Sequence, residues 1–424
     1  MKRAARFLFV HQNFPGQFRH LAPALAARGH EVVALGERAN VQARRGEAPG
    51  VRLLGYAMPK ESRPLGSPFA VLGATLERAR LAAHAAQQLR AAGFQPDAIY
   101  AHIGWGEALF LKDVFPEAAL LVYGEFFYAA AGADTGFDRE FTPARTTPLS
   151  RRVGTRLRNT PLLMALEAAD AVVAPTRWQR SRFPAVYHDK VQLVHDGIDT
   201  VAAQPSPKAA FALPGTQRIF GPGEPVVTYA ARNLEPYRGF HIFMRAVPEI
   251  QARNPKAQIV VVGGDRISYS PRLPQGQTYR QRALREIENR FDPARLHFIP
   301  RLPYQDYLSL LQVSAAHVYL TYPFVLSWSL LEAMAVGGLV IASRTAPVEE
   351  VVRDGENGLL FDFFSPGEIA EHVTAVLEDG RRHAHLREAE RKSVREQFDL
   401  REICLPRQVA ILEGLAERRP GAVA

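Results

Sequence analysis

The chain has 424 residues, with 52 Lys plus Arg against 43 Asp plus Glu, a formal charge of +9 with His neutral. At roughly 100–200 residues per domain that length gives two or three domains, and 47% hydrophobic with 22% charged residues excludes long disorder and a fibrous architecture. Cys404 is the only cysteine, which excludes an intramolecular disulfide and a CxxC zinc site and fits a reducing compartment.

Met1-Lys2-Arg3-Ala4-Ala5-Arg6 leads directly into a short apolar segment, without the h-region or cleavage site of a signal peptide, so a cytoplasmic location is expected. From there, short β-rich runs alternate with helical patterns, the signature of parallel βαβ units. Strands are predicted at Arg6–Val10, Glu31–Leu35, Val51–Leu54, Asp97–Ala101, Ala119–Tyr123, Asp170–Ala174 and Val191–Val194, with helices at Gly16–Arg28 and Pro68–Leu89. Asp199–Pro225 then gathers Pro205, Pro207, Pro214, Gly215, Gly221, Pro222 and Gly223, a linker composition. A second series follows at Pro225–Ala230, Gln258–Val262, Leu296–Ile299, His317–Leu320, Leu339–Ala342 and Gly358–Phe361, and Arg382–Arg418 reads as two helices. Each half is thus expected to be one doubly wound domain, with a ligand crevice where the carboxyl ends of the two sheets face each other. Phe324–Ala342 comes nearest to a membrane span, but Ser327, Ser329, Glu332 and Gly337-Gly338 interrupt it.

Charge is uneven: residues 1–200 hold 25 basic and 18 acidic residues, residues 201–424 hold 27 and 25. A basic first half attracts an anionic partner such as a phosphorylated substrate, an acidic glycan or a membrane surface. Nucleic acid is not expected, since no basic tail, zinc-finger pattern or aromatic RNA-binding motif is present.

The first strand is followed by His11-Gln12-Asn13-Phe14-Pro15-Gly16-Gln17 and lacks the GxGxxG of a dinucleotide site, which removes the main support for a dehydrogenase. Gly16 still leaves room for a ligand to approach backbone amides, or simply serves the turn. In the second half, Arg232 and Arg238 flank a turn at the carboxyl end of a strand, where two guanidiniums can converge on one diphosphate. Gly263-Gly264-Asp265 follows the next strand and either leaves room at the crevice or simply makes a turn. The most informative stretch is Thr321 to Gly338. There a helix starting near Ser327-Trp328-Ser329 offers free amides and its positive end to an anion, and Glu332 sits one turn in, needing either a bound ribose or a protein donor as partner. His102 and Glu125, at the ends of later strands in the first half, are candidates to orient an acceptor hydroxyl or take its proton. Phe126–Ser150 is a long aromatic loop that either shapes the acceptor site or packs on the body.

Phe14-Pro15-Gly16-Gln17, Asp196-Gly197-Ile198-Asp199, Arg232 with Arg238-Gly239, Gly263-Gly264-Asp265, Leu331-Glu332-Ala333-Met334-Ala335 and Gly355-Glu356-Asn357-Gly358-Leu359-Leu360 together resemble the family 4 glycosyltransferases of the GT-B fold, from Phe7 to about Arg407. The resemblance implies an α/β chain of two Rossmann-like, doubly wound domains facing an interdomain cleft. An acceptor domain would span 1–200, with a crossover helix at about 396–420, and a donor domain 218–390. It implies that Arg232 and Arg238 bind the diphosphate of a sugar nucleotide, Arg238 standing where the family has Lys, and that Glu332 holds the ribose hydroxyls. Gly16 would approach the donor phosphates. The family's first motif glutamate, which contacts the transferred sugar, falls at Phe324, and its following Gly falls at Ser327.

The function implied is a retaining transfer of sugar from a UDP- or GDP-sugar donor to an acceptor hydroxyl on a glycan, lipid-linked or small-molecule acceptor. No metal or further cofactor is required, because Arg232, Arg238 and the amides at Ser327–Ser329 supply the charge stabilisation a divalent ion gives elsewhere. Polysaccharide synthesis and a peripheral contact with an anionic membrane are further expectations. The rivals are another GT-B activity, an epimerase or phosphorylase, and a sugar-nucleotide or glycan binder without turnover, which Phe324 motivates.

Overall fold

The computed structural model describes residues 3–59, 67–142 and 147–417. The chain divides into two units: unit 1 comprises Met1–Ala130, Ala144–Gly197 and Arg401–Ala424, and unit 2 comprises Ala131–Pro143 and Ile198–Leu400.

Unit 1 is built on β1 (Arg6–Val10), β2 (Glu31–Glu37), β3 (Arg52–Tyr56), β4 (Ala98–His102), β5 (Ala119–Tyr123), β6 (Ala171–Ala174) and β7 (Val191–Leu193). All pair in parallel, in the order β3-β2-β1-β4-β5-β6-β7. Alternation along β1 feeds two cores. Phe7 and Phe9 pack with Phe18, Leu25 and Leu412 on one face, and Leu8 and Val10 pack with Ala82, Ala86 and Leu162 on the other. A parallel sheet covered on both faces needs such runs of apolar residues. The helix Leu405–Glu417 belongs to this unit, with Val409, Leu412 and Leu415 in its core.

Unit 2 opens within the stretch whose composition reads as a linker. Instead of standing free, Ala203, Phe211, Leu213 and Phe220 enter its cores, and β8 (Phe211–Ala212) pairs antiparallel with β9 (Ile219–Phe220). Prolines and glycines here shape a packed hairpin. The main sheet contains β10 (Val226–Asn233), β11 (Gln258–Gly264), β12 (Leu296–Ile299), β13 (Ala316–Tyr319), β14 (Val340–Ser343) and β15 (Leu359–Phe361), in the order β12-β11-β10-β13-β14-β15. Val227 and Tyr229 face Phe240, Phe243 and Val247 of the helix Phe240–Arg253. The long aromatic loop after β5 divides: Phe127 and Tyr128 pack in unit 1, whereas Phe137 and Phe141 pack in unit 2. The predicted helix Gly16–Arg28 is a 3-10 turn, Gly16–Phe18, followed by the helix Leu21–Ala27.

Candidate functional site

In an open parallel sheet, ligands sit at the carboxyl ends of the strands where the order reverses. In unit 2 that point lies between β10 and β13. β10 shifts its register on β11 between Ala230 and Asn233, and such a bulge re-aims the residues within it. It leaves Arg232 exposed, with no hydrogen bond or ion pair among the described residues. The chain then turns through Pro236–Arg238 and enters the next helix at Gly239, whose φ is +64°. A Cβ at Gly239 would lie 2.3 Å from Leu320 Cβ, so only glycine lets the two loops approach this closely.

That approach sets Arg238 against the loop leaving β13. Its Nη1 donates to Thr321 Oγ1 at 2.8 Å and to the Val325 carbonyl at 3.1 Å. It also faces Tyr319, whose hydroxyl burial raises in pKa against the opposing Arg238 charge. Ser327 caps the helix Trp328–Ala335. The Ser327 amide donates to the Tyr319 hydroxyl at 3.0 Å, the Ser329 amide to Ser327 Oγ at 3.3 Å, and the Leu330 amide to the Ser327 carbonyl at 3.2 Å. The free amides expected from sequence are therefore largely occupied, because a serine at this position turns its own oxygens onto them. What the site offers an anion is the positive helix end and the Arg238 guanidinium beside it.

Glu332 is half-buried one turn further on. It lies beside Tyr307, whose pKa is pushed well up by burial and by the Glu332 carboxylate, so a protein donor does stand next to it. Trp328 packs against the core below the helix. Gly263 does not open space for a ligand: a Cβ there would sit 2.6 Å from Leu234 and 2.8 Å from the Ala231 carbonyl, so it serves the bulge. Phe324 is 2% exposed, with its ring 5.6 Å from Tyr237 and 5.0 Å from Tyr269, both edge-on. Beneath it, buried Glu235 accepts the amides of Ser268, Tyr269 and Ser270 on one oxygen, at 3.1, 3.1 and 2.9 Å, and so fixes the loop that carries Tyr269.

In unit 1 the reversal falls between β1 and β4. His11, His102 and His195 follow a common local pattern. Each Nδ1 accepts the amide two residues on, Asn13 at 2.8 Å, Gly104 at 3.0 Å and Gly197 at 3.0 Å, which assigns the ring proton to Nε2. His102 is 0% exposed, and burial followed by the neighbouring His11 holds its pKa well below the usual value. Its ring is enclosed by His11, Trp105 and Tyr123, and its Nε2 lies 3.6 Å from Glu125 Oε2. The His102 ring itself has no exposed surface. Glu125 retains an exposed edge and accepts Gln17 Nε2 at 3.3 Å. Gly16, too, has another use: a Cβ there would fall 2.9 Å from His11 Nε2, so the space it leaves is filled by an imidazole. Among the described residues no group of three or more His, Cys, Asp and Glu is placed to hold a metal ion.

Residues 28–203 match the family described as "Glycosyl transferase family 4 group", and residues 217–393 match "Glycosyl transferases group 1". The chain belongs to the family 4, group 1 glycosyltransferases. A D-inositol 3-phosphate glycosyltransferase of Nocardia farcinica is 25% identical over 239 residues, 55% of this chain and 49% of the relative. A GDP-mannose-dependent α-(1-6)-phosphatidylinositol monomannoside mannosyltransferase of Mycolicibacterium smegmatis is 26% identical over 263 residues, 56% and 65% of the two chains. The chain thus spans about half to two thirds of the length of these curated relatives. In fold it is similar to sucrose-phosphate synthase of Thermosynechococcus elongatus, with TM-score 0.71 at 17% identity over 98% of this chain and 100% of the other. It is also similar to HepE of Anabaena in complex with UDP-glucose, with TM-score 0.65 at 17% identity over 97% and 98%. Two doubly wound parallel sheets and these neighbours make the fold GT-B.

For this family 4 glycosyltransferase, the sequence motifs marked Arg238, Ser327 and Glu332, which the fold gathers along one rim of the sheet, the carboxyl-end edge beyond β10 and β13. They missed Tyr319, Thr321 and Glu235, which hold that edge in shape, and Tyr307 beside Glu332. Buried polar residues that act on distant loops leave no local pattern, although Glu235 between Asn233 and Pro236 is an unusual carboxylate to bury.

Proposed function

We propose that this chain is a retaining glycosyltransferase that moves a sugar from a UDP- or GDP-linked donor to an acceptor hydroxyl. The observation that carries the reading is Arg238, held against the start of the helix Trp328–Ala335 at the switch point of a doubly wound sheet, with exposed Arg232 on the same loop. Cleavage of a sugar–diphosphate bond develops negative charge on the leaving diphosphate. Two guanidiniums and a helix end neutralise that charge where it forms. Glu332 takes the ribose hydroxyls, with Tyr307 beside it, and Phe324, Tyr237 and Tyr269 give an apolar wall where the family's glutamate contacts the sugar. On unit 1, His102 is a positioning residue for Glu125, which orients the acceptor hydroxyl. With front-face departure and attack, the diphosphate oxygen itself takes the acceptor proton.

The relatives named above act on inositol phosphate and on a phosphatidylinositol mannoside. A phosphate-bearing or lipid-linked acceptor agrees with the basic first half of this chain. No helix of the described residues is long and apolar enough to cross a membrane. A peripheral contact is supported by the first turns of the helices Pro68–Ala91 and Pro148–Ala168, where Phe69 and Leu149 are 68% and 62% exposed. A Cβ on Gly154 would lie 3.8 Å from Pro68, so these turns are adjacent, and Arg151, Arg152 and Arg156 accompany them. Exposed apolar residues with arginines on the neighbouring helix suit an anionic headgroup surface. Vesicles of acidic lipid should sediment the protein and zwitterionic vesicles should not; equal partition ends this part of the proposal.

The donor is tested by thermal shifts with UDP, GDP, ADP, their sugar conjugates and NAD, with and without magnesium. A ligand at about 100 times its Kd adds roughly 2.7 kcal/mol. A response to one nucleoside diphosphate, lost in Arg232→Ala, names the donor for a transfer assay in which the anomeric configuration of the product is read by NMR. Binding without transfer or donor hydrolysis would instead establish a non-catalytic protein, and product formed without acceptor an epimerase.

A further inference from the structure

Residues 131–142 belong by sequence to the loop after β5 but by packing to unit 2. Phe137 packs on Tyr322, Phe363 and Phe364 with ring separations of 5.1, 5.0 and 5.1 Å. Glu140 accepts Arg245 at 2.8 Å and Arg282 at 3.0 Å. On the same segment, two carboxylates four residues apart meet two tyrosines. The Tyr237 hydroxyl donates to Asp134 Oδ2 at 2.5 Å, and the Tyr322 hydroxyl donates to Asp138 Oδ2 at 2.8 Å, with His241 Nε2 3.0 Å from the same oxygen. Asp134 and Asp138 are both buried. Burial alone would raise the Asp138 pKa, but the bonds from His241 and Tyr322 outweigh it and hold the carboxyl below its usual range, so the contacts are charge-assisted.

The two tyrosines are not arbitrary neighbours. Tyr237 immediately precedes Arg238, and Tyr322 immediately follows Thr321, which accepts Arg238 Nη1. The Tyr322 amide donates to the Tyr237 carbonyl at 3.0 Å, and the two rings lie 4.7 Å apart, tilted by 34°. The loop that carries the guanidinium and the loop that receives it are therefore joined here as well as through Arg238 itself. Both sides of the joint end on the same segment of the first half of the chain.

We propose that Asp134 and Asp138 are positioning residues for nucleotide binding: through Tyr237 and Tyr322 they hold Arg238 where it meets the diphosphate. The proposal rests on the reading of Arg238 given above. It assigns a donor-site role to a segment that no motif marks, and it makes the loop after β5 part of the donor site.

The test is calorimetric titration of the full chain with UDP and with GDP. Asp134→Asn and Asp138→Asn keep shape and remove charge. Tyr237→Phe and Tyr322→Phe delete one hydroxyl each and guard against variants that fail to fold. Each should weaken the bound nucleotide roughly 5- to 50-fold, below the loss of a direct hydrogen bond to a charged group because the aspartates act through a tyrosine. Donor KM should rise in proportion while acceptor KM stays within about twofold. The deciding arm is a double-mutant cycle. If the aspartates act through Arg238, Asp138→Asn causes no further loss in an Arg238→Ala background. Additive losses, or unchanged nucleotide affinity with only lowered stability, overturn the proposal. Wild-type affinity in Arg238→Ala, or no binding of either nucleotide to the wild type, refutes the underlying reading of the site and this inference with it.

Discussion

Gly239→Ala isolates the close approach on which the donor-side geometry depends. The alanine would hold φ near +64°, which costs about 1–2 kcal/mol for a residue with a Cβ. Its Cβ would also lie 2.3, 2.6 and 2.9 Å from three atoms of Leu320, a residue 1% exposed, where carbon contacts normally begin near 3.5 Å. Overpacking of that kind costs about 1–3 kcal/mol, so the total is about 2–5 kcal/mol. Gly223→Ala is the internal control, since Gly223 has φ +90° but nothing within 4 Å of a built Cβ, and it should lose only the backbone share. Urea unfolding monitored by fluorescence separates the two: at about 2 kcal/mol per M, the midpoint should fall by roughly 1–2.5 M for Gly239→Ala and by roughly 0.5–1 M for the control. Nucleoside diphosphate affinity should drop only for Gly239→Ala, because the collision displaces the turn that carries Arg238. Equal losses in the two variants would show that Leu320 yields freely and would refute the argument from close approach.

Arg232→Ala should leave thermal stability nearly unchanged, as the side chain is exposed, while lowering the transfer rate roughly 100- to 1,000-fold. His102→Ala should do the reverse, losing about 2–4 kcal/mol on unfolding with a smaller effect on rate; comparable rate losses would contradict the assignment. Phe324→Glu restores the family's residue type but buries a carboxylate between two tyrosine rings, so Tm should fall by roughly 6–12 °C for about 3 kcal/mol, without a gain in transfer. Burial holds the imidazoles of His195 and His317 at about 4, well below the 6.5 of an unfolded histidine. Their contribution to stability is therefore full above about pH 6.5 and is lost as pH falls towards 4, at up to about 1.4 kcal/mol per pH unit from each. Unfolding free energies measured between pH 7 and 5 should show this slope, and His317→Gln should flatten it for unit 2; a slope that survives the substitution would mean other groups carry it.

The periodic apolar runs determined the thirteen strands of the two large sheets and their parallel order of connection, because a strand buried on both faces must be apolar along its length. β10 and β11 were legible for that reason, as was the helix after Ser327 from its cap and the Leu331–Ala335 run. The two arginines were legible as types suited to an anion, and Gly239 as part of the motif that carries the family resemblance. Tertiary structure alone decided how those residues are used. The bulge that turns Arg232 outward exists only through the pairing of β10 with β11, and the burial of His102 is completed only by His11 and Tyr123, from two other strand ends. Ser327 draws on Tyr319 for its own amide, Gly16 and Gly263 give their space to His11 and Leu234, and Phe324 is walled in by Tyr237 and Tyr269. Residues 131–142 show the same division most clearly. Their aromatic and acidic side chains suit either a surface loop or a packed one, and what decides between them is a set of partners 100 and more positions away, which a local pattern does not encode.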